Sequence, residues 1–311
     1  MPLRDDLNGF LKPPRSFFGI PEPEVQDPDV GVLGIPYDMT SSYAPGARFG
    51  PDAIRAATDR ERSHTYPIQA GTTHDRELKP LSKLITLEDI GDLEVTGRPP
   101  ESAIVDISEA TARLVKHEAR LLFLGGDHFI TYPILRGIAR GSKDNVGLVY
   151  LDAHADLYES YDGHPISHAT TLRRIIEDKL VEMSHVLAHD LRSALPDQRN
   201  TLADGGAMVN LSTESFSEGI KELSKEVDRI YVSIDLDVMR PDIAPGVGHP
   251  ESGGLDSVEI FQLLRACFDT GKVLYADLVE LNPLLDKTGM TAVLARDIVK
   301  EILTGFALRK D

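Results

Sequence analysis

Short apolar runs recur along the chain, each closed by Gly, Asp or another polar residue: Val30 to Ile35, Leu121 to Leu124, Val146 to Leu151, Val186 to Ala188, Ile230 to Ile234 and Val273 to Val279. Runs this short and apolar throughout predict buried parallel strands, whose two faces are both covered. Helical spacing appears between them. Asp256 with Glu259 has the spacing of a capping box, and Ile260, Leu263, Leu264 and Cys267 follow on one face. Ser215 with Glu218 predicts a second helix start, ahead of Ile220, Leu223 and Val227. A last helix is predicted from about Thr291, burying Leu294, Ile298 and Ile302. Strand alternating with helix implies an α/β protein built on a doubly wound, mostly parallel sheet. No repeat, low-complexity tract or linker divides the 311 residues, so one domain is expected. Ligands of such sheets gather beyond the C-terminal ends of the strands, and the polar clusters fall there.

Composition narrows the function. Hydrophobic residues make up 41%, enough for a sizeable core. Lys and Arg total 33 against 50 Asp and Glu, a formal net charge of −17 that argues against nucleic acid and suits cations. The start MPLRDDLNGF is charged early, unlike a secretory leader, and no apolar run reaches the ~18 residues of a membrane span. A cytoplasmic location is the expectation. The single cysteine, Cys267, lies in the apolar-periodic stretch IFQLLRACF and reads as a buried structural thiol.

Three segments share one grammar, an apolar strand running straight into metal-ligand residue types. Leu-Leu-Phe-Leu leads into Gly125-Gly126-Asp127-His128, Gly-Leu-Val-Tyr-Leu into Asp152-Ala153-His154-Ala155-Asp156, and Tyr-Val-Ser-Ile into Asp235-Leu236-Asp237. While the backbone stays extended, residues two apart share a side, so Asp152, His154 and Asp156 can converge, as can Asp235 and Asp237. Two glycines before His128 permit a sharp turn. Taken singly, Asp-x-His-x-Asp is as readily a polar loop as a metal site, Ser-x-Asp-x-Asp is more readily an acidic turn, and Gly-Gly-Asp-His is mainly a turn; their joint occurrence after buried-looking strands makes the case. Four carboxylates and two imidazoles without a thiolate favour Mn²⁺, with Ni²⁺, Co²⁺ or Fe²⁺ also possible. Six side chains exceed what one ion with open positions needs, so two ions are expected. Four Asp charges balance two dications, which makes burial tolerable.

These residues resemble the arginase/agmatinase (ureohydrolase) family, and the resemblance spans nearly the whole chain. It runs from Gly34-Ile35-Pro36-Tyr37-Asp38 and Pro45-Gly46-Ala47-Arg48-Phe49-Gly50-Pro51, through the three metal motifs, to Ala276-Asp277-Leu278-Val279-Glu280-Leu281-Asn282-Pro283 and Thr291-Ala292. It implies a three-layer αβα domain over residues 1–311, with a central, mostly parallel eight-stranded sheet and about the first 29 residues as an extension packed on it. It also implies assembly as a homo-oligomer, a trimer or hexamer. One ion would be held by His128, Asp152, Asp156 and Asp235, the other by Asp152, His154, Asp235 and Asp237, with Asp152 and Asp235 bridging. The implied reaction is attack of water, acidified by two dications, on a guanidino carbon to release urea and an amine. Asp156 and Asp237 join the catalytic group by holding the metals. Glu280 resembles the guanidinium-binding glutamate, able to pair with two N–H groups. Ser167-His168-Ala169-Thr170 resembles the family's Ser-His-Gly-Thr, which assigns the proton-carrying role to His168 over His164.

Two positions depart from the family's pattern. Phe129 stands where relatives have a small hydroxyl residue, which predicts a missing hydrogen bond behind the site. Arg240 replaces the acidic residue before Pro241. Tyr158 stands where animal-type arginases carry an Asn for the α-amino acid end, whereas Gly246 to Gly254 resembles plant-type arginases. Agmatine is therefore the expected substrate, with arginine next and guanidinobutyrate or guanidine as further alternatives; Glu280 disfavours formiminoglutamate. A silent partner subunit would have lost a ligand, and all six positions are intact. A phosphoesterase would bring Arg or Lys into the metal motifs, and none is there.

Overall fold

A computed structural model describes residues 6–7, 11–12, 17–21, 23, 27–58, 63–68, 79–209 and 212–308. Nine strands form one sheet: β1 (Leu11–Lys12), β2 (Val30–Ile35), β3 (Leu87–Leu93), β4 (Arg120–Gly125), β5 (Val146–Leu151), β6 (Val186–His189), β7 (Met208–Val209), β8 (Arg229–Asp235) and β9 (Val273–Val279). Their spatial order is β1-β3-β2-β4-β9-β8-β5-β6-β7. β2 to β9 run parallel, and β1 alone lies antiparallel, on the edge beside β3. The eight parallel strands flanked by helices are the three-layer architecture the sequence implied.

Alternation along the strands splits the core in two. Val30, Val32, Leu122, Leu124, Val149, Leu151, Ile230, Val232 and Ile234 enter one cluster, with apolar residues of α1 (Gly50–Ala57), α6 (Thr213–Glu226), α7 (Ser257–Phe268) and α8 (Met290–Ala307). Leu33, Ile35, Leu121, Phe123, Leu148, Tyr150 and Tyr231 enter the other, with α2 (Pro100–Leu114), α3 (Thr131–Gly141), α4 (Thr171–Glu177) and α5 (Pro196–Asp204). Both faces are covered, which is why the runs are apolar at successive positions.

Local differences have identifiable causes. Asp256 caps α7 as read, accepting from the amides of Val258 and Glu259. The cap of α6 lies three residues before the predicted Ser215: it is Ser212, which accepts from the Ser215 amide, and Val227 lies just past the helix end, buried. β3 was not legible because it reads Leu-Glu-Asp-Ile-Gly-Asp-Leu. Buried Asp89 and half-buried Asp92 are accommodated because Arg55 of α1 reaches across, donating to both oxygens of Asp89 at 2.8 Å and to Asp92 at 2.5 Å. Cys267 is wholly buried in α7, and burial pushes its thiol up. Thiol reagents such as DTNB are accordingly expected to find no reactive group in the native protein and one per chain in denaturant. Rapid labelling of the native protein would contradict this packing.

Candidate metal centre

The four central strands, β4, β9, β8 and β5, are neighbours in the sheet, and the loops at their C-terminal ends carry the predicted residues. Three gaps of about 4.8 Å separate them, so every contributor starts within roughly 15 Å of the others. His128 follows β4, Glu280 follows β9, Asp235 ends β8 with Asp237 beyond, and Asp152, His154 and Asp156 follow β5.

Tight turns, rather than the strand pleat, bring them together. β5 ends at Leu151 and Asp156 has φ +48°. Residues Leu236–Val238 form a 3-10 turn in which the Asp237 amide donates to Asp235 Oδ1 at 2.8 Å. Gly126 serves close approach: a Cβ there would overlap the Tyr37 carbonyl oxygen, 1.7 Å away.

His128, Asp152 and Asp235 offer ligand atoms to one point, and Asp152, His154 and Asp237 to a second, so Asp152 is shared. Asp235 belongs to the first group only. Asp156 stands beside the first, its Oδ2 3.4 Å from His128 Nδ1, where it also accepts from Tyr150 Oη at 2.6 Å.

Hydrogen-bond directions show what the cluster lacks. Asp277, wholly buried in β9, accepts from Ser233 Oγ (2.7 Å), Thr131 Oγ1 (2.6 Å) and Tyr231 Oη (2.6 Å). Ser233 has given its hydrogen to Asp277, so at 2.9 Å it accepts from His128 Nε2–H. The lone pair of His128 therefore sits on Nδ1, which faces oxygens of Asp152 at 2.9 Å and Asp235 at 3.2 Å. Asp152 Oδ2 is buried with no hydrogen-bond partner. His154 repeats the pattern: Nδ1 lies 2.9 Å from Asp237, and Nε2 lies 3.4 Å from Glu251, which also accepts from Ser193 Oγ. Imidazole and carboxylate lone pairs aimed at one another require a cation between them, and carboxylate-oriented imidazoles are the usual outer arrangement of a metal site. The residues fit two dications.

Protons are the only substitute cations. Burial, then the charge of Asp152, pushes Asp156 up to about 7, and burial raises Asp235 and Asp237. For His128 and His154 burial acts downward, but the neighbouring carboxylates override it and hold both above the usual imidazole value. Asp152 moves the other way: burial is outweighed by the two imidazoles. A carboxyl raised from 3.8 to about 7 stabilises the fold fully below the lower value and loses that contribution as pH rises through the higher one. Between pH 6 and 8 the loss for Asp156 is on the order of 1 kcal/mol. Chelated protein is therefore expected to melt several degrees lower at pH 8 than at pH 6, with Mn²⁺ restoring more at pH 8. A melting temperature that is flat or rises with pH under chelation would contradict the charge arrangement.

The cluster floors a cleft of about 500 Å³ lined by His128, His154, Asp156, Asp235 and His168, with Ser42, Tyr43, Tyr158, Tyr161, Gln198, His249 and Glu251 around its mouth and walls. His168 is buried and lines it; His164 is exposed and lines a separate pocket. Burial, then the charge of His249, holds His168 down to about 4. Glu280, with φ +64°, accepts from the His128 amide at 2.9 Å through Oε1. Its Oε2 faces Gly248, a residue of the cleft lining, where a Cβ would come within 3.7 Å. One oxygen rather than both is thus directed away from the protein's own donors. Phe129 packs against Tyr37, with ring centroids 5.2 Å apart, and His128 Nε2 is held by Ser233. Arg240 pairs with exposed Asp242, away from the cluster.

His249, Ser42 and Glu251 had no signal in the sequence beyond lying in motif-bearing loops. His249 stacks on His168 at 5.0 Å, and Ser42 Oγ lies 3.4 Å from His168 Nε2 and 3.2 Å from His249 Nε2. Arg192 ties the loops together: its guanidinium donates to the carbonyls of Asp237, Val238, Met239, Glu251 and Ser252, and to Asp190.

Comparison with known proteins gives a consistent picture. The Arginase family model matches residues 28–305. An agmatinase from Bacillus anthracis is 32% identical over 287 residues, covering 91% of this chain and 94% of its own. A guanidinobutyrase from Pseudomonas aeruginosa is 33% identical over 295 residues, covering 90% and 89%. The solved structure of proclavaminate amidino hydrolase from Streptomyces clavuligerus superposes with a TM-score of 0.80 at 33% identity, covering 96% of this chain and 98% of that one. Among the described residues, no helix is long and apolar enough to cross a membrane.

Proposed function

Because the chain belongs to the arginase family and is a ureohydrolase, we propose that it hydrolyses agmatine to putrescine and urea at the cleft between β4 and β5. The observation that carries this substrate is the lining: among its described residues there is no Lys or Arg, while Glu251 and the three tyrosines Tyr43, Tyr158 and Tyr161 belong to it. A distal ammonium is favoured by a carboxylate and aromatic faces; a distal carboxylate would find no cation to pair with.

His128, Asp152 and Asp235 would hold one ion and Asp152, His154 and Asp237 the other, with Asp156 added to the first and Asp235 also reaching the second as the family resemblance implies, and Mn²⁺ is the best fit to an oxygen-rich, thiolate-free set. When bound, such a pair supplies water made acidic enough to act as a nucleophile near neutral pH. The chain's own residues do the rest. Glu280 Oε2 would accept from the guanidinium N–H groups, holding the planar carbon still over the cluster. His168 would carry the proton that the departing amine needs. Its Nδ1 faces the Thr40 carbonyl at 2.5 Å and so keeps its hydrogen, leaving Nε2 to take up and release the mobile proton. Because burial holds it low, His168 is neutral at rest and would hand on a proton it has just taken up at Nε2 rather than one it stores.

The test is urea release from metal-loaded protein with agmatine, L-arginine, 4-guanidinobutyrate, guanidine and formiminoglutamate, each with Mn²⁺ and with Ni²⁺. Agmatine is expected to lead in kcat/KM. Preference for guanidinobutyrate would remove the agmatine reading, and silence across the panel would reduce the assignment to family membership.

A further inference from the structure

We propose that Thr40, anchored on Asp127, is the positioning residue that fixes the tautomer and aim of His168. This rests on the proton-carrying role given to His168 above.

Asp127 lies between the turn glycine and His128 and is wholly buried. Its Oδ2 accepts from the Thr40 amide at 3.0 Å and from the Thr40 hydroxyl at 2.7 Å. Its Oδ1 is buried with no hydrogen-bond partner among the described residues. A carboxyl held this way is costly as mere filling, and it needs a reason to be there. Thr40 supplies one. Having given its only hydrogen to Asp127, Thr40 Oγ1 can only accept, and it accepts from the His168 amide at 3.2 Å. The Thr40 carbonyl takes the hydrogen of His168 Nδ1. A carbonyl has no hydrogen to offer, so this contact admits only an imidazole protonated at Nδ1. The lone pair is thereby placed on Nε2, on the side where Ser42 Oγ lies and the cleft opens.

The same turn sets the other parts of the reaction. The Gly126 carbonyl accepts from the Glu280 amide at 2.8 Å, and the His128 amide donates to Glu280 Oε1. The Asp127 amide is tied to the Tyr37 carbonyl at 2.7 Å, at the base of the segment that carries Thr40. Three consecutive residues thus register a metal-facing imidazole, a carboxylate for the guanidinium and, through Thr40, the proton carrier. A shift of about 1 Å at such a group can slow a reaction by about 10²-fold.

The test compares Thr40→Val and Thr40→Ala, which lose the hydroxyl, with Thr40→Ser, which keeps it, using the substrate that releases urea in the panel. Kinetics are accompanied by metal analysis and by side-chain ¹⁵N NMR of His168 in metal-free protein. The hydroxyl-lacking variants are expected to lose roughly 10- to 100-fold in kcat, with KM within about twofold and metal content unchanged. Thr40→Ser should recover most of the rate, and the Nδ1–H tautomer should dominate in wild type and Thr40→Ser but not in Thr40→Val. Wild-type kcat in Thr40→Val, a loss matched by lost metal, or an unchanged tautomer would each overturn the assignment. His168→Asn run in parallel separates the two claims. If it retains wild-type kcat, the proton role of His168 is wrong, and the NMR comparison alone then decides whether Thr40 sets the tautomer.

Discussion

Asp152→Ala is expected to lower kcat/KM for urea release by more than about 10³-fold and to leave at most one ion per chain. Losing an outer partner of a metal ligand typically costs about 10–100-fold, and Asp152 is the residue shared by both ligand groups. Its removal also takes one facing carboxylate from both imidazoles, leaving Asp235 beside His128 and Asp237 beside His154. Urea assay and elemental analysis of the purified variant check the two halves of this expectation together. An active variant that retains two ions would mean that the shared position of Asp152 is incidental.

Glu280→Gln should behave differently. Glutamine preserves the acceptor for the His128 amide, so the turn and the metal content are expected to stay as they are. What is lost is the charge directed at the guanidinium. Removing one partner of a buried charge pair costs about 2–4 kcal/mol, or roughly 30- to 1,000-fold. The loss is expected in kcat/KM, with wild-type thermal stability or better, because burial and the charge of Asp127 already hold the Glu280 carboxyl well above its ordinary range. Unchanged kinetics would remove Glu280 from substrate binding, whereas loss of metal would reassign it to support of His128.

The contrast between these two variants follows from what was legible in the sequence. The metal-facing residues could be read because each stands within a few positions of an apolar strand end, where local pattern and spatial position coincide. The six apolar runs all became parallel strands for the same reason, since a strand covered on both faces advertises itself in one-dimensional pattern. β3 was not legible because its burial depends on Arg55, some thirty residues earlier. Pleat geometry gave the right convergence for the wrong reason: Asp156 and Asp237 arrive through turns. Thr40, Ser42, His249 and Glu251 lie in irregular loops, so no period marks them and only the folded chain brings them to His168 and His154. The partner of His128 was equally hidden, because Ser233 reaches it from a strand two places away in the sheet.

Drawing metal-facing residues from the ends of three strands, β4, β5 and β8, spread from His128 to Asp237 in sequence, has a consequence for how the chain reaches its native state. No two of these strands are joined by a short hairpin, so the site cannot exist as a local fragment. Metal cannot nucleate folding here, in contrast to small zinc-built modules. It acts as a latch, closing after the sheet has assembled. Refolding rates should therefore be indifferent to Mn²⁺, while unfolding slows in its presence, because interactions made after the transition state act on escape from the native basin alone.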